Sequence, residues 1–388
     1  MNPSNPLTST HAQDGAGFIP YGPVDADQTV QVVDTFGLYE AEYAAIRKTV
    51  GLMDLPHRGV VEVTGGGRID FLHRMLTNDT AGLEPGQGRR AMLLDRTGRI
   101  GADMIVLHDS ERTCLETDVF QTSSLVAELE GFVFTEDVQL RDASDSYVRL
   151  ALHGPAGADV LKAVGNEPVE ALSPLSHRRL TLAGHPCTVF RSDETGTPGL
   201  HLMVPRQGAV AVYDALKKAV GGDAAVSTGK PIGWLAYNTA RIEAGTPLYH
   251  IDFGKDTLPH ETGVLDQAVS FTKGCYRGQE IVARLHNLGH PKRVLVGLRL
   301  ADDRLPIAGS QVLEPDEPTG DRTGTTPRGS TSGSVIGGVT SSCVSPMLGG
   351  KAVAFAMVKW GMHEPGTPVV VPAEGQLVVA TVGPLASL

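Results

Sequence analysis

The chain has 388 residues, more than one ordinary core accommodates, so two or three domains are expected. With 41% hydrophobic and 20% charged residues it is composed as a globular protein, and no run approaches the roughly 18 uninterrupted apolar residues of a membrane span. A formal net charge of −11 repels phosphate backbones and argues against extended nucleic-acid binding.

Four cysteines, Cys114, Cys187, Cys275 and Cys343, lie far apart without a CxxC pair, which suits free thiols in a reducing compartment. The first positively charged side chain is Arg47, so the sequence opens without the basic region of a secretory signal or the arginines of a transit peptide. Cytoplasmic residence is the expectation.

Residues 1–29 are rich in Pro, Gly, Asp, Ser and Thr and are expected to form a disordered tail. From about residue 36 the pattern becomes globular. "LYEAEYAAIRKTVGLMDL" has helical spacing with a stop near Gly51, "GVVEVTG" alternates as a strand, and "RIDFLHRMLTNDT" carries Ile69, Leu72 and Leu76 on one helical face. "RRAMLLDRTGRIGADMIVLHD" holds two apolar runs around the turn "DRTG", a hairpin signature. "TCLETD" adds a strand and "TSSLVAELEGFVF" a helix. "VQLRD", "YVRLALHG", "PCTVFRS" and "GLHLMVP" read as strands, followed by helical "AVAVYDALKKAV". Strand pairs alternate with single helices, an α+β arrangement without the βαβ rhythm of a parallel sheet and without a visible internal repeat.

The C-terminal third is mostly short strands with glycine turns, which points to an antiparallel β-barrel. Residues 314–334 lack large apolar side chains and are dominated by Gly, Pro, Ser and Thr; flanked by strand-like "SQVLE" and "SVIGGVTS", they are expected to be the mobile tip of a hairpin. The domain expectation is therefore a tail over 1–29, an α+β domain over 30–290 and a barrel over 291–388. "HNLGH" places His286 and His290 at i,i+4, but Gly289 between them and Pro291 after them favour a turn, so no metal site is expected.

The octet "KGCYRGQE", residues 273–280, puts a cysteine between Lys273 and Arg277, just ahead of the helical run "EIVARL". A nearby helix N-terminus and neighbouring cations are the settings that favour a thiolate, although an isolated cysteine is more often a small buried hydrophobe. The octet resembles the signature of YgfZ-type folate-binding proteins, relatives of the glycine cleavage T-protein, and the resemblance extends over most of the chain from about residue 36. "FLHRMLTND", "GQGRRAMLLDRTGRIGADMIVL", "WLAYNTARIEAG" and "VTSSCVSPMLGGKAVAFAMV" carry it, and these segments are shared with the whole T-protein superfamily.

What the resemblance implies is a T-protein-like folate-binding domain of two intertwined α+β lobes with a C-terminal β-barrel. It implies tetrahydrofolate as the bound group and support of iron–sulfur cluster assembly or repair, with iron–sulfur client or assembly proteins as partners. The alternative is a folate-dependent aminomethyltransferase or demethylase of the T-protein type; if the protein is an enzyme, it is a tetrahydrofolate-dependent one-carbon transferase. A third possibility is a non-catalytic adaptor that retains the fold.

By the same resemblance, Asp103 in "GRIGADMIVL" is the retained acid of a T-protein Asp-Asp pair, with Ala102 in the other place; from the residues alone, an acid at the start of a strand can equally cap a turn. Arg241, in "ARIEAG", matches an Arg-x-Glu beside the cavity. Cys275 stands where T-proteins usually carry an acid, framed by Lys273 and Tyr276, and is the candidate for redox or cluster chemistry. "FRSDETGTPGLHLMV" departs from the T-protein pattern: His201 replaces the glutamate that pairs with the pterin edge, and Glu194 replaces an aromatic residue. The candidate catalytic residues are therefore Asp103 and Cys275, and the folate-binding candidates Asp103, Glu194, His201, Arg241, Lys273 and Tyr276.

Overall fold

The structure, a computed structural model, describes residues 5–23, 28–165, 172–222, 228–315 and 333–385. Two antiparallel-based sheets and a closed barrel organise it. The first sheet has five strands in the order Gln87–Leu94, Ile100–His108, Thr113–Asp118, Arg58–Thr64 and Gln139–Asp142. The second has six, in the order His177–Leu182, His185–Arg191, Gly199–Pro205, Tyr147–His153, Gly51–Asp54 and Lys230–Pro231.

These two sheets repeat one topology, which corrects the expectation of no internal repeat. Short 3-10 turns aside, strand, helix, three strands, helix, strand runs from Arg58 to Asp142 and again from Tyr147 to Pro231. The strand orders correspond, except that Gly51–Asp54 is inserted beside Tyr147–His153 in the second sheet. Hydrophobic pattern and turn chemistry are enough to build the same unit twice, so the repeat shows in the path of the chain rather than in a plain sequence repeat.

Each sheet covers one face with its own helices. Helices Arg68–Met75 and Thr122–Glu130 pack Phe71, Leu72 and Leu125 against Val61, Leu93, Ala102, Met104 and Leu115. In the second unit Gly157–Gly165 and Ala209–Gly221 cover Leu150, Leu152, Val189 and Leu202. The opposite faces of the two sheets meet each other. Strand alternation dictates which residues they present: Ala102, Met104 and Val106 enter the first core, while Ile105 and Leu107 join Val60, Cys114, Phe190 and Met203 between the sheets. Asp103 shares that inter-sheet face.

The C-terminal barrel closes through Arg293–Leu300, Lys351–Lys359, Val335–Ser345, Gln311–Leu313, Pro368–Ala373 and Gln376–Gly383. Gln311–Leu313 and Val335–Ser345 pair antiparallel, as the hairpin expectation required. Most of the 314–334 segment itself lies outside the described residues. Helix Trp234–Glu243 links the lobes to the barrel. The fold is thus the α+β architecture with a C-terminal antiparallel barrel anticipated above.

The expectation of a disordered tail over 1–29 is corrected for the part described. Residues Thr8–Gln13 form a helix, and Gly17–Tyr21 pairs antiparallel with Val30–Thr35. Leu7 is fully buried, His11 lies 2.9 Å from Asp54, and the Tyr21 hydroxyl donates to Asp118. A few well-placed contacts order a segment whose average composition is polar.

Candidate functional site

Between the facing sheets lies a polar seam. Glu116 receives Arg58 Nε at 2.8 Å from its own sheet and Arg149 Nη2 at 3.1 Å from the other. These two arginines hold its carboxyl at about 2 against the opposing effect of burial. Glu62 likewise pairs with Arg112 and Arg141, and accepts the hydroxyl of Tyr147 across the seam at 2.8 Å. Buried acids in this position require such partners.

Asp103 enters the same region. Arg90 donates to it in a two-pronged pair, Nε to Oδ1 at 3.0 Å and Nη2 to Oδ2 at 2.7 Å. Burial works against the guanidinium charge, but the Asp103 pairing prevails and raises the Arg90 pKa. Arg90 also senses Glu194 and Arg58. Although they sit deep in the molecule, Arg58, Arg90 and Glu194 keep 20, 17 and 20% of their side-chain surface accessible. Each of the three therefore keeps side-chain surface within reach of a bound group.

Glu194 follows strand His185–Arg191, and His201 lies on the next strand, with 3.9 Å between Glu194 Oε1 and His201 Nε2. The Tyr237 hydroxyl donates to Glu194 Oε2 at 2.7 Å. Burial opposes the charge of Glu194, yet His201, Arg58, His153 and the Tyr237 hydroxyl hold its carboxyl below the ordinary range. His153 and Tyr237 meet at a tilt with 5.5 Å between ring centroids, and His153 meets His201 edge-on at 5.4 Å. Burial pushes His153 and His57 each down to about 3, so both are neutral at physiological pH. Both ring nitrogens of His153, His201 Nε2, His57 Nδ1 and Arg149 Nε and Nη1 are buried and make no hydrogen bond among the described residues.

Of the sequence candidates, Asp103, Glu194 and His201 belong to this polar seam. The other three candidates are engaged with other parts of the protein. Arg241 is fully buried, with Nη1 on Asp252 at 2.7 Å and on the Thr246 carbonyl, Nη2 on Ser341 Oγ and Nε on Asn238. It ties helix Trp234–Glu243 to the barrel. Lys273 Nζ donates to the carbonyls of His73, Leu76 and Asn78, closing the C-terminal end of helix Arg68–Met75. Tyr276 is buried with Met92, Leu94, Ile100, Tyr249 and Phe253.

Cys275 is the exposed cysteine among the four; the others are buried. Cys275 lies ahead of helix Gln279–Leu288, whose N-cap is Gly278, and Lys273 points to carbonyls while Arg277 pairs with Glu128 and covers Phe132. His286 stacks on Phe271 at 3.8 Å and His290 on Trp360 at 4.9 Å, so the two histidines face different neighbours.

Arg90, His153, Tyr237 and Arg58 were not singled out in the sequence. Their signal was weak but present: each is a polar or aromatic residue in a strand or helix with apolar neighbours. Among the described residues no helix is long and apolar enough to cross a membrane.

Comparison with known proteins agrees with this architecture. Residues 7–273 match the GCVT N-terminal domain and residues 293–386 the glycine cleavage T-protein C-terminal barrel domain. An aminomethyltransferase of Streptomyces avermitilis is 32% identical over 340 residues, covering 86% of this chain and 84% of that protein. Another, from Geobacillus kaustophilus, is 29% identical over 382 residues, covering 98% and 97%. The crystal structure of the glycine cleavage system aminomethyltransferase T from Bartonella henselae superposes with a TM-score of 0.83 at 26% identity, covering 100% of this chain and 99% of that one. Two matched domains spanning nearly the whole chain place it in the glycine cleavage T-protein family.

Proposed function

We propose that the chain binds a reduced folate in the inter-sheet chamber and serves one-carbon transfer of the aminomethyltransferase kind. The observation that carries this reading is the accessible side-chain surface that Arg58, Arg90 and Glu194 keep in the polar seam, with Arg90 fixing Asp103. Charged and polar groups with accessible surface between two apolar sheet faces suit a flat heteroaromatic ligand with polar edges. The aminomethyltransferase names of relatives that cover most of the chain support the reaction class. When bound, tetrahydrofolate supplies the nitrogens that accept the one-carbon unit. Asp103, held in one orientation by Arg90, presents a carboxylate able to accept a hydrogen bond or hold a proton beside them.

Calorimetry with tetrahydrofolate tests the binding, and formation of methylene-tetrahydrofolate from an aminomethyl donor tests the transfer. Wild type is expected to bind, and Asp103→Asn to bind roughly tenfold more weakly and to lose turnover. Equal affinity and rate would remove Asp103 from the site, and absence of binding by wild type would overturn the folate reading itself.

One observation favours a second reading, support of iron–sulfur cluster assembly or repair. Cys275 is exposed while the residues around it are anchored. On this reading, Cys275→Ser lowers cluster-enzyme activity in cells and leaves folate affinity intact. Unchanged cluster-enzyme activity would leave the transferase alone.

A further inference from the structure

We propose, resting on the one-carbon-transfer reading, that Asp118 is the proton donor of the seam: a second carboxyl beside Asp103 that protonates the amine leaving the one-carbon unit. Tyr21 and His250 are the residues that position it.

Strand register puts the two acids side by side. Met104 pairs with Thr117 and Arg58 with Asp118, so the row across the first sheet runs Asp103, Asp118, Arg58. The Thr117 hydroxyl donates to the Asp103 carbonyl at 2.7 Å and holds that register. Alternation sends Cys114, Glu116 and Asp118 toward the second sheet, as it does Asp103 and Ile105. Directly opposed side chains on one face stand roughly 5 Å apart at Cβ.

The surroundings of the two differ in kind. Both oxygens of Asp103 are gripped by Arg90, as a charged carboxylate is. Arg58, the strand neighbour of Asp118, turns to Glu116 instead. Asp118 is left with the Tyr21 hydroxyl on Oδ2, the Phe120 amide at 2.9 Å from Oδ1 and His250 Nε2 at 3.9 Å. Burial raises its carboxyl pKa against the lowering effects of Tyr21, His250, Phe120 and Arg58. Neighbouring carboxyls in such unlike settings divide the work of base and acid. Glu42 and Asp54 are buried too, but neither stands on the first sheet: Glu42 accepts the Phe36 and Gly233 amides, and Asp54 faces His11.

The positioning groups come from separate parts of the chain. Tyr21 arrives on strand Gly17–Tyr21, its ring 4.9 Å from His57 and 5.5 Å from Trp234. His250 has a backbone φ of 68°, in the left-handed region, and its N–H is tied to the Phe253 carbonyl at 2.8 Å. A residue other than glycine is strained there, and strain of this kind gathers at functional positions. Its side chain retains 14% accessible surface, and its Nε2 makes no hydrogen bond among the described residues. Burial lowers the His250 pKa against the effect of Asp118, and Lys255 acts in the same sense as burial.

The step balances without a further reagent. Asp118 gives its proton to the amine nitrogen of the aminomethyl donor as the carbon–nitrogen bond breaks, the bonding pair staying on that nitrogen. The carbon bonds to a folate nitrogen, and the proton which that nitrogen loses restores Asp118.

Infrared difference spectroscopy of the full chain without ligand, wild type against Asp118→Asn at neutral pH, reads the proton directly. A protonated-carboxyl band is expected in wild type and its loss in the variant. In steady-state transfer, Asp118→Asn is expected to lower kcat about 100-fold or more with KM little changed. Tyr21→Phe removes a donor that favours the charged form of Asp118, so the alkaline limb of its pH–rate profile is expected to move to higher pH. Absence of the band, an unchanged kcat in Asp118→Asn or an unmoved limb in Tyr21→Phe would each overturn the assignment. No transfer by wild type would overturn the one-carbon reading and this proposal together, whereas transfer by wild type at a rate that Asp118→Asn matches removes the proposal alone. Glycine suits the left-handed backbone at position 250, so His250→Gly, with a lowered kcat expected, serves where Asp118→Asn fails to fold; an unchanged kcat there would count against the assignment.

Discussion

Lys273 closes the end of a helix with an ammonium group drawn into a partly buried position. Burial lowers its pKa to about 8, and three main-chain carbonyls of the 73–78 segment receive its protons. A charged cap on a helix C-terminus satisfies orphan carbonyls and opposes the helix dipole. Lys273→Met is expected to reduce unfolding free energy by about 2 kcal/mol in urea titration, with tetrahydrofolate affinity unchanged. A loss of affinity at intact stability would return Lys273 to the binding site. The sequence showed Lys273 beside a cysteine and suggested a shared chemical task. Its partners, nearly 200 residues earlier in the chain, are brought close only by tertiary packing, so no local spacing could name them. Asp103 was legible because it is a lone acid in an apolar strand; Arg90 was not, because their contact crosses a hairpin whose register the sequence leaves open.

At the scale of elements, the loop ahead of helix Gln279–Leu288 is held from several sides. Tyr276 is buried, Arg277 pairs with Glu128, and Gly278 adopts φ 79° in the left-handed region. A Cβ on Gly278 would lie 2.6 Å from the Asp95 carbonyl oxygen and 2.9 Å from Leu94 Cβ. Only glycine is at ease there. Gly278→Ala is expected to cost about 2 kcal/mol or more and to alter the rate at which Cys275 reacts with a disulfide reagent. An unchanged rate at reduced stability would show that the loop holds the thiol without help from this turn. The glycines and the helical run after them were plain in the sequence, and so was the element boundary. The side chains' destinations were not, since both cations bond to elements distant in sequence.

The whole molecule depends on keeping imidazoles neutral where its two sheets meet. His57 and His153 have pKa values near 3 in the folded state because of burial, against about 6.5 when unfolded. The unfolded chain therefore binds protons that the folded chain refuses. Stability is fully present above pH 6.5 and falls as pH drops toward 3, with a slope of about 1.4 kcal/mol per pH unit for each histidine. Chemical denaturation between pH 7.5 and 4.5 is expected to show this slope, reduced in His153→Asn; a flat profile would contradict neutral burial. At this scale the sequence disclosed the strands, helices and barrel, because periodicity and turn residues act locally. It concealed the repeated unit, which is a likeness of path with little likeness of residues.

That likeness of path does not make the halves interchangeable. Arg149 and Tyr147 of the second unit answer Glu116 and Glu62 of the first. Two copies of the first unit set face to face would oppose acid to acid and lack the phenol and the extra guanidinium that complete the seam. Symmetry in the chain trace thus coexists with a strict division of labour in electrostatics: each half recognises its unlike sibling, and a hollow with two different walls arises from a shape used twice.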